Sequence, residues 1–153
     1  MTREFKNIAE LETMLGKELG ASDWFPIDQD RIDGFAAVTL DGHWLHTDPQ
    51  RCAIDAPTGK TMAHGMLILS LMTYLSRRIW KLKSMKTGVN YGYEKTRFPS
   101  PVHAGDRVRL RRSLAALDQT EHGWRVCFKD VMEIEGREKP ACVTENISIY
   151  QAA

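Results

Sequence analysis

The chain has 153 residues, 42% of them hydrophobic and 27% charged, which suits one domain (1–153) whose core needs no disulfide or metal staple. Its three cysteines, Cys52, Cys127 and Cys142, are odd in number and widely spaced, which excludes a CxxC redox site or a zinc ribbon and predicts free thiols in a reducing cytoplasm. The longest apolar stretch, Met66–Leu75, falls short of the ~20 residues a spanning helix needs, so no membrane anchor is expected.

Phe5, Ile8, Leu11, Leu15 and Leu19 follow helical spacing and predict an N-terminal helix over 3–20, stopped by Gly20. Trp24–Ile27 reads as a short extended segment. Asp28 is a suitable N-cap for a second helix that carries Ile32, Phe35 and Ala36 on one face. Leu40–His46 reads as non-helical, with Gly42 inside it, and Asp48-Pro49 as the N-cap and first turn of a short helix. Thr61–Trp80 predicts the long central helix, so apolar near its start that something must wrap it.

Beyond Met85 the period changes to two. Val108, Leu110, Leu114 and Ala116 alternate with Arg109, Arg111 and Ser113. Trp124, Val126, Phe128, Met132 and Ile134 share a parity that Asp130 interrupts, and Val143, Ile147 and Ile149 repeat the pattern. Helices first and strands afterwards predict an α+β class, with an antiparallel sheet wrapped around the central helix in a hot-dog arrangement.

Charge is unevenly spread. Residues 1–60 hold 6 Lys and Arg against 11 Asp and Glu, whereas residues 77–112 hold 11 against 2. The positive block suits a phosphorylated ligand or a solvated basic face. Its aromatics form no nucleic-acid motif, so no nucleic acid is expected as a partner.

The stretch Asp41-Gly42-His43-Trp44-Leu45-His46 puts a carboxylate and two imidazoles within six residues. In an irregular turn they can converge, giving an ionised base beside a group that trades protons near neutrality. Ala63-His64-Gly65 leads into the central helix, where free backbone N–H groups and the helix dipole favour a developing negative charge. Water addition to an α,β-unsaturated thioester needs these parts: a base for the water, an acid for the α-carbon and a donor for the enolate oxygen. The plain alternatives are that Asp41 caps a turn, that His46 is a satisfied polar residue and that Gly65 merely permits close packing. Zinc ligation by His43, His46, His64 and Asp41 matches no known spacing, so no metal is expected.

Asp41 to Pro49, Ala63-His64-Gly65-Met66-Leu67, Asn90-Tyr91-Gly92, Arg97 to Val102 and Gly105-Asp106 together resemble the MaoC-like dehydratases, which include (R)-specific enoyl-CoA hydratases. The nodulation-protein-N-like branch is the most similar, over about residues 20–150. The resemblance implies a hot-dog fold and a homodimer with its sites near the interface. It further implies Asp41 as base, His46 as acid and the Gly65 N–H in the oxyanion hole. His43 and Trp44 stand where the family's motif often has Asn-Pro. The substrate is expected to meet His43, Trp44, His64, Asn90, Tyr91 and a small hydroxyl of the central helix, Thr73 or Ser70. Arg97, with Lys95 or Arg107, would meet the phosphates of an acyl-CoA or the carrier of an acyl-carrier thioester. No cofactor is implied beyond the coenzyme A of the substrate itself. A hot-dog thioesterase and a non-catalytic acyl-CoA-binding module are the competing readings.

Overall fold

The computed structural model describes residues 2–152, and its elements run in the order β1 (Arg3–Phe5), α1 (Ile8–Glu12), β2 (Glu18–Ala21), β3 (Phe25–Pro26), α2 (Gln29–Thr39), α3 (Trp44–Thr47), α4 (Pro49–Asp55), α5 (Gly65–Ile79), β4 (Trp80–Leu82), β5 (Met85–Arg97), β6 (Arg107–Thr120), β7 (Gly123–Ile134) and β8 (Cys142–Ala152). One antiparallel sheet has the order β2-β6-β7-β8-β5, with β3 also paired to β6, while β1 and β4 form a separate parallel pair. This is an α+β hot-dog arrangement, with the sheet against the central helix α5.

The expected N-terminal helix over 3–20 is not there. Only Ile8–Glu12 is helical, capped by the Asn7 side chain on the Glu10 N–H. Arg3–Phe5 pairs instead with Trp80–Leu82, and Glu18–Ala21 with β6. Gly16, at φ 73°, breaks the chain between them. Phe5, Ile8, Leu11 and Leu19 are buried regardless, so the apolar spacing served three short elements rather than one helix. The central helix is also shorter than expected. Thr61–His64 runs extended because Met62 bridges His103 and the Ala63 N–H donates to the Val102 carbonyl at 2.7 Å.

Two caps follow the sequence. Asp28 accepts from the Arg31 N–H at 2.9 Å, and Asp48 accepts from the Arg51 N–H at 2.9 Å with Pro49 as the first helical residue. Trp44–Thr47 forms one helical turn capped by His43, although Leu40–His46 was expected to be non-helical.

On β6 the inward residues are Val108, Leu110, Arg112 and Leu114. A bulge between Leu114 and Ala116 then shifts the parity, so Leu117 packs against the core in place of the expected Ala116. On the outer face the basic residues are neutralised across the strands: Arg107 pairs with Glu135, Arg109 and Arg111 with Glu133, and Arg111 also with Glu18. The Arg111 bond is the main cause that holds the Glu133 carboxyl below its ordinary range.

The residue that broke the β7 pattern is explained by its partner. Asp130 is buried against buried Arg112, which sits opposite it in the register and grips both carboxylate oxygens, at 2.8 and 2.6 Å. The guanidinium also lies 4.3 Å from the Phe128 ring centroid. Removing one partner strands a buried charge, so Asp130→Asn or Arg112→Met is expected to destabilise by about 3–5 kcal/mol in urea unfolding. The double replacement Arg112→Met with Asp130→Leu should recover most of that loss.

Cys142 faces the same interior. Burial, with the Asp130 carboxylate adding to it, pushes its thiol up to about 12. Iodoacetamide at about pH 8.5, where a free thiol is half ionised, should leave Cys142 unmodified in the native protein and label it in urea, as read by peptide mass spectrometry.

Candidate active site

Three segments meet at the start of α5. The first is the end of α2. Leu40, 90% exposed, takes a left-handed backbone at φ 62° that L side chains disfavour, and so turns the chain sharply into Asp41. Thr39 supports the turn: its hydroxyl donates to the Phe35 carbonyl at 2.7 Å and accepts from the Asp41 N–H at 3.4 Å.

The second segment is α3. Gln29 of α2 donates to the His46 carbonyl at 2.7 Å and accepts from the Thr61 hydroxyl. The Met62 N–H donates to the Leu45 carbonyl at 3.0 Å. His46 Nδ1 lies 2.6 Å from the Met62 carbonyl, which only accepts, so Nδ1 carries a proton and Nε2 is the nitrogen left for chemistry.

The third segment is His64-Gly65, the N-terminus of α5. His64 is 4% exposed. Its Nε2 donates to the Asp41 carbonyl at 2.9 Å and lies 3.9 Å from the Asp41 carboxylate. Its ring stacks on His46 with centroids 3.8 Å apart, and Phe35 covers it at 5.0 Å. With Nε2 donating, Nδ1 is a bare acceptor, buried without a partner among the described residues.

As a result, an Asp41 carboxylate oxygen, a His46 nitrogen and a His64 nitrogen all lie within 4.8 Å of one another. No side chain caps α5, and its first bonds to the His64 carbonyl come from Leu67 and Ile68, which leaves the N–H groups of Gly65 and Met66 free among the described residues. A Cβ at Gly65 would stand 3.2 Å from the Phe98 ring, so glycine there allows Phe98 to close over the helix start. The group can therefore accept a proton, donate one and hold an oxyanion. Asp41, His46 and His64 could also hold a divalent cation, each imidazole ligating through a nitrogen that carries no proton.

Asp41, His46 and Gly65 are thus brought together, as expected. His43 is exposed, with its ring 6.3 Å from His46, and its Nδ1 accepts from the Leu45 N–H. Trp44 is half-buried beneath the Arg51 guanidinium, 4.2 Å from its ring. His64, expected to touch substrate, lies behind Asp41 and His46 rather than in the open. Tyr91 is 71% exposed on β5. Arg97 precedes Phe98, and its guanidinium donates to its neighbour's carbonyl at 2.8 Å, whereas Lys95 is taken by Glu145 and Arg107 by Glu135. Thr73 and Asn90 lie apart from Asp41, His46 and Gly65, in a cavity beside the C-terminal half of α5.

The sequence model of the MaoC like domain matches residues 10–125. The chain is 40% identical over 151 residues, 98% of its length and 99% of the relative's, to 3-hydroxyacyl-thioester dehydratase Z of Mycobacterium tuberculosis (strain ATCC 25618 / H37Rv). It is 37% identical to Nodulation protein N of Rhizobium leguminosarum bv. viciae, covering 95% of this chain and 91% of that one. Among solved structures it resembles R-Hydratase PhaJ1 from Pseudomonas aeruginosa, with a TM-score of 0.75 and 21% identity over 95% of this chain and 85% of that one. A family match over most of the chain and full-length relatives at this identity place the protein in the MaoC-like dehydratase family of acyl-thioester hydratases and dehydratases.

Proposed function

We propose that the protein interconverts a trans-2-enoyl-CoA and water with an (R)-3-hydroxyacyl-CoA. The observation that carries this reading is the convergence of the Asp41 carboxylate and the His46 imidazole at the uncapped start of α5.

In the hydration direction Asp41 takes a proton from water as the water oxygen bonds to the β-carbon. The electrons of the double bond move onto the thioester oxygen, which the Gly65 N–H holds with the helix dipole behind it. His46 enters this direction as the imidazolium, with a proton on each nitrogen; it gives the Nε2 proton to the α-carbon and becomes neutral, while Nδ1–H stays anchored on the Met62 carbonyl. The proton gained by Asp41 resets His46. Dehydration runs the same transfers backwards. No electrons enter or leave, so the chemistry calls for no redox group, and the coenzyme A belongs to the substrate.

Two further features support the reading. The names of the M. tuberculosis relative and of the P. aeruginosa structure describe this class of reaction. Arg97 at the Phe98 rim suits a phosphate of the carrier. We also place a second copy of the chain on β5, which uses one edge for β8 and leaves the other open across 13 residues, with Met85, Val89 and Tyr91 exposed. No helix among the described residues is long and apolar enough to cross a membrane.

Loss of enoyl-thioester absorbance with crotonyl-CoA tests the assignment. Asp41→Asn and His46→Ala are each expected to lower kcat/KM by about 100-fold or more with the fold retained, as read by circular dichroism. Release of free thiol with the double bond intact would replace this reading by a thioesterase, and binding without turnover by a binding module.

Gly65→Ala pushes a methyl to 3.2 Å from the Phe98 ring and crowds the oxyanion donor. Its loss is expected mainly in kcat rather than KM, read from the same assay, because the donor acts on charge that develops in the transition state.

A further inference from the structure

The basic block of the sequence divides in two once folded. Arg107, Arg109, Arg111 and Lys95 are consumed by carboxylates on the outer face of the sheet. Arg77, Lys81 and Lys86 make no ion pair among the described residues, and all three stand on the walls of one cavity.

That cavity, of about 510 Å³, lies between the C-terminal half of α5 and strands β5 and β8. No Asp or Glu among the described residues lines it. Its floor is polar and buried: Arg112 and Asn146 are each 4% exposed and Ser148 6%. These groups are held in place. Arg112 is fixed by Asp130, the Ser148 hydroxyl donates to Asn146 at 3.1 Å, and the Asn146 amide donates to Asn90 at 2.9 Å. Gly88 lets the Tyr150 ring lie directly on β5, since a Cβ there would come to 2.8 Å from it.

A plain alkyl chain in this space would bring no partner to Arg77, Lys81 and Lys86 and would lie against the polar side chains of Arg112, Asn146 and Ser148 in place of water, which opposes its binding. An anionic oxygen group would meet donors on the floor and unpaired cations at the walls. Thr73, on the wall, stands eight residues beyond Gly65, ~12 Å along the helix axis. We propose that this cavity seats the far end of the acyl group and that the preferred substrate carries a carboxylate there. The proposal rests on the acyl-thioester reading above.

Two thioesters that differ only in the tail test it: trans-2-octenoyl-CoA and the same chain ending in a carboxylate, trans-2-octenedioyl-CoA. Their coenzyme A phosphates are identical, so a preference reports on the tail. Wild type is expected to favour the carboxylated chain in kcat/KM by about 10-fold or more, the effect of one charge-assisted hydrogen bond. Arg77→Gln with Lys86→Gln, both at exposed positions, should bring the ratio towards one. Preference for the plain chain, or equal losses on both thioesters in the double variant, would overturn the proposal; the second outcome would assign these cations to the phosphates. Calorimetric titration with octanedioate against octanoate reads the cavity without turnover. Tighter binding of the dianion, lost in the double variant, supports the proposal even if neither thioester reacts and the hydratase reading fails; equal affinity counts against the proposal even if crotonyl-CoA is hydrated.

Discussion

The His64 imidazole joins three segments that sequence distance keeps apart. One nitrogen holds the Asp41 carbonyl, one ring face lies against His46, and the backbone opens α5. The bond fixes the tautomer, and the tautomer leaves Nδ1 as a buried acceptor with no partner among the described residues. An unsatisfied buried nitrogen costs about 1–3 kcal/mol. The strained backbone at Leu40 adds about 1–2 kcal/mol more. Both costs fall where the chain must aim Asp41 at His46, the usual place for local strain to be retained. A bulkier aliphatic residue at 64 could fill the space between Phe35 and His46 but could not hold the Asp41 carbonyl.

The sheet around α5 divides into two halves of different character. Towards β2 the helix meets Val108, Leu110 and Leu114, an ordinary apolar core. Towards β5 the inward positions of β8 are Thr144, Asn146 and Ser148, and the Arg112–Asp130 pair marks the boundary. Thr144 is satisfied by Thr96 and by the Glu94 carbonyl, and Asn146 by Asn90. Polar groups at such cost inside a small domain leave room for a cavity where close apolar packing would have filled it.

Much of this was legible in the sequence because it depends on local rules. Asp28 and Asp48-Pro49 are caps whose chemistry acts within three residues. The convergence of Asp41, His46 and the start of α5 was legible because the first two stand five residues apart and His64-Gly65 opens an apolar helix. The helix over 3–20 failed because β1 and β2 draw their hydrogen bonds from Trp80–Leu82 and from β6, both distant in sequence. His64 was expected to meet substrate along with the residues around it, and only tertiary packing shows its ring turned inward. Arg112 escaped notice altogether. In a run of alternating arginines nothing local marks the one that faces the core, and the signal was Asp130, the charged residue out of step on a strand 18 positions later.

Thr73 and Asn90 show what the same reasoning does when a site has two parts. Both were assigned to the substrate pocket, and both line a cavity that contains none of Asp41, His46 and Gly65. A base, an acid and an oxyanion donor must sit within hydrogen-bond reach of the reacting carbons, so they cluster tightly. The groups that choose a substrate are under no such limit and lie wherever its far end falls. Short motifs therefore point to the chemistry, whereas the cavity we propose for the acyl tail is built from β5, β8 and the last turns of α5, whose side chains come together only when the sheet closes around the helix.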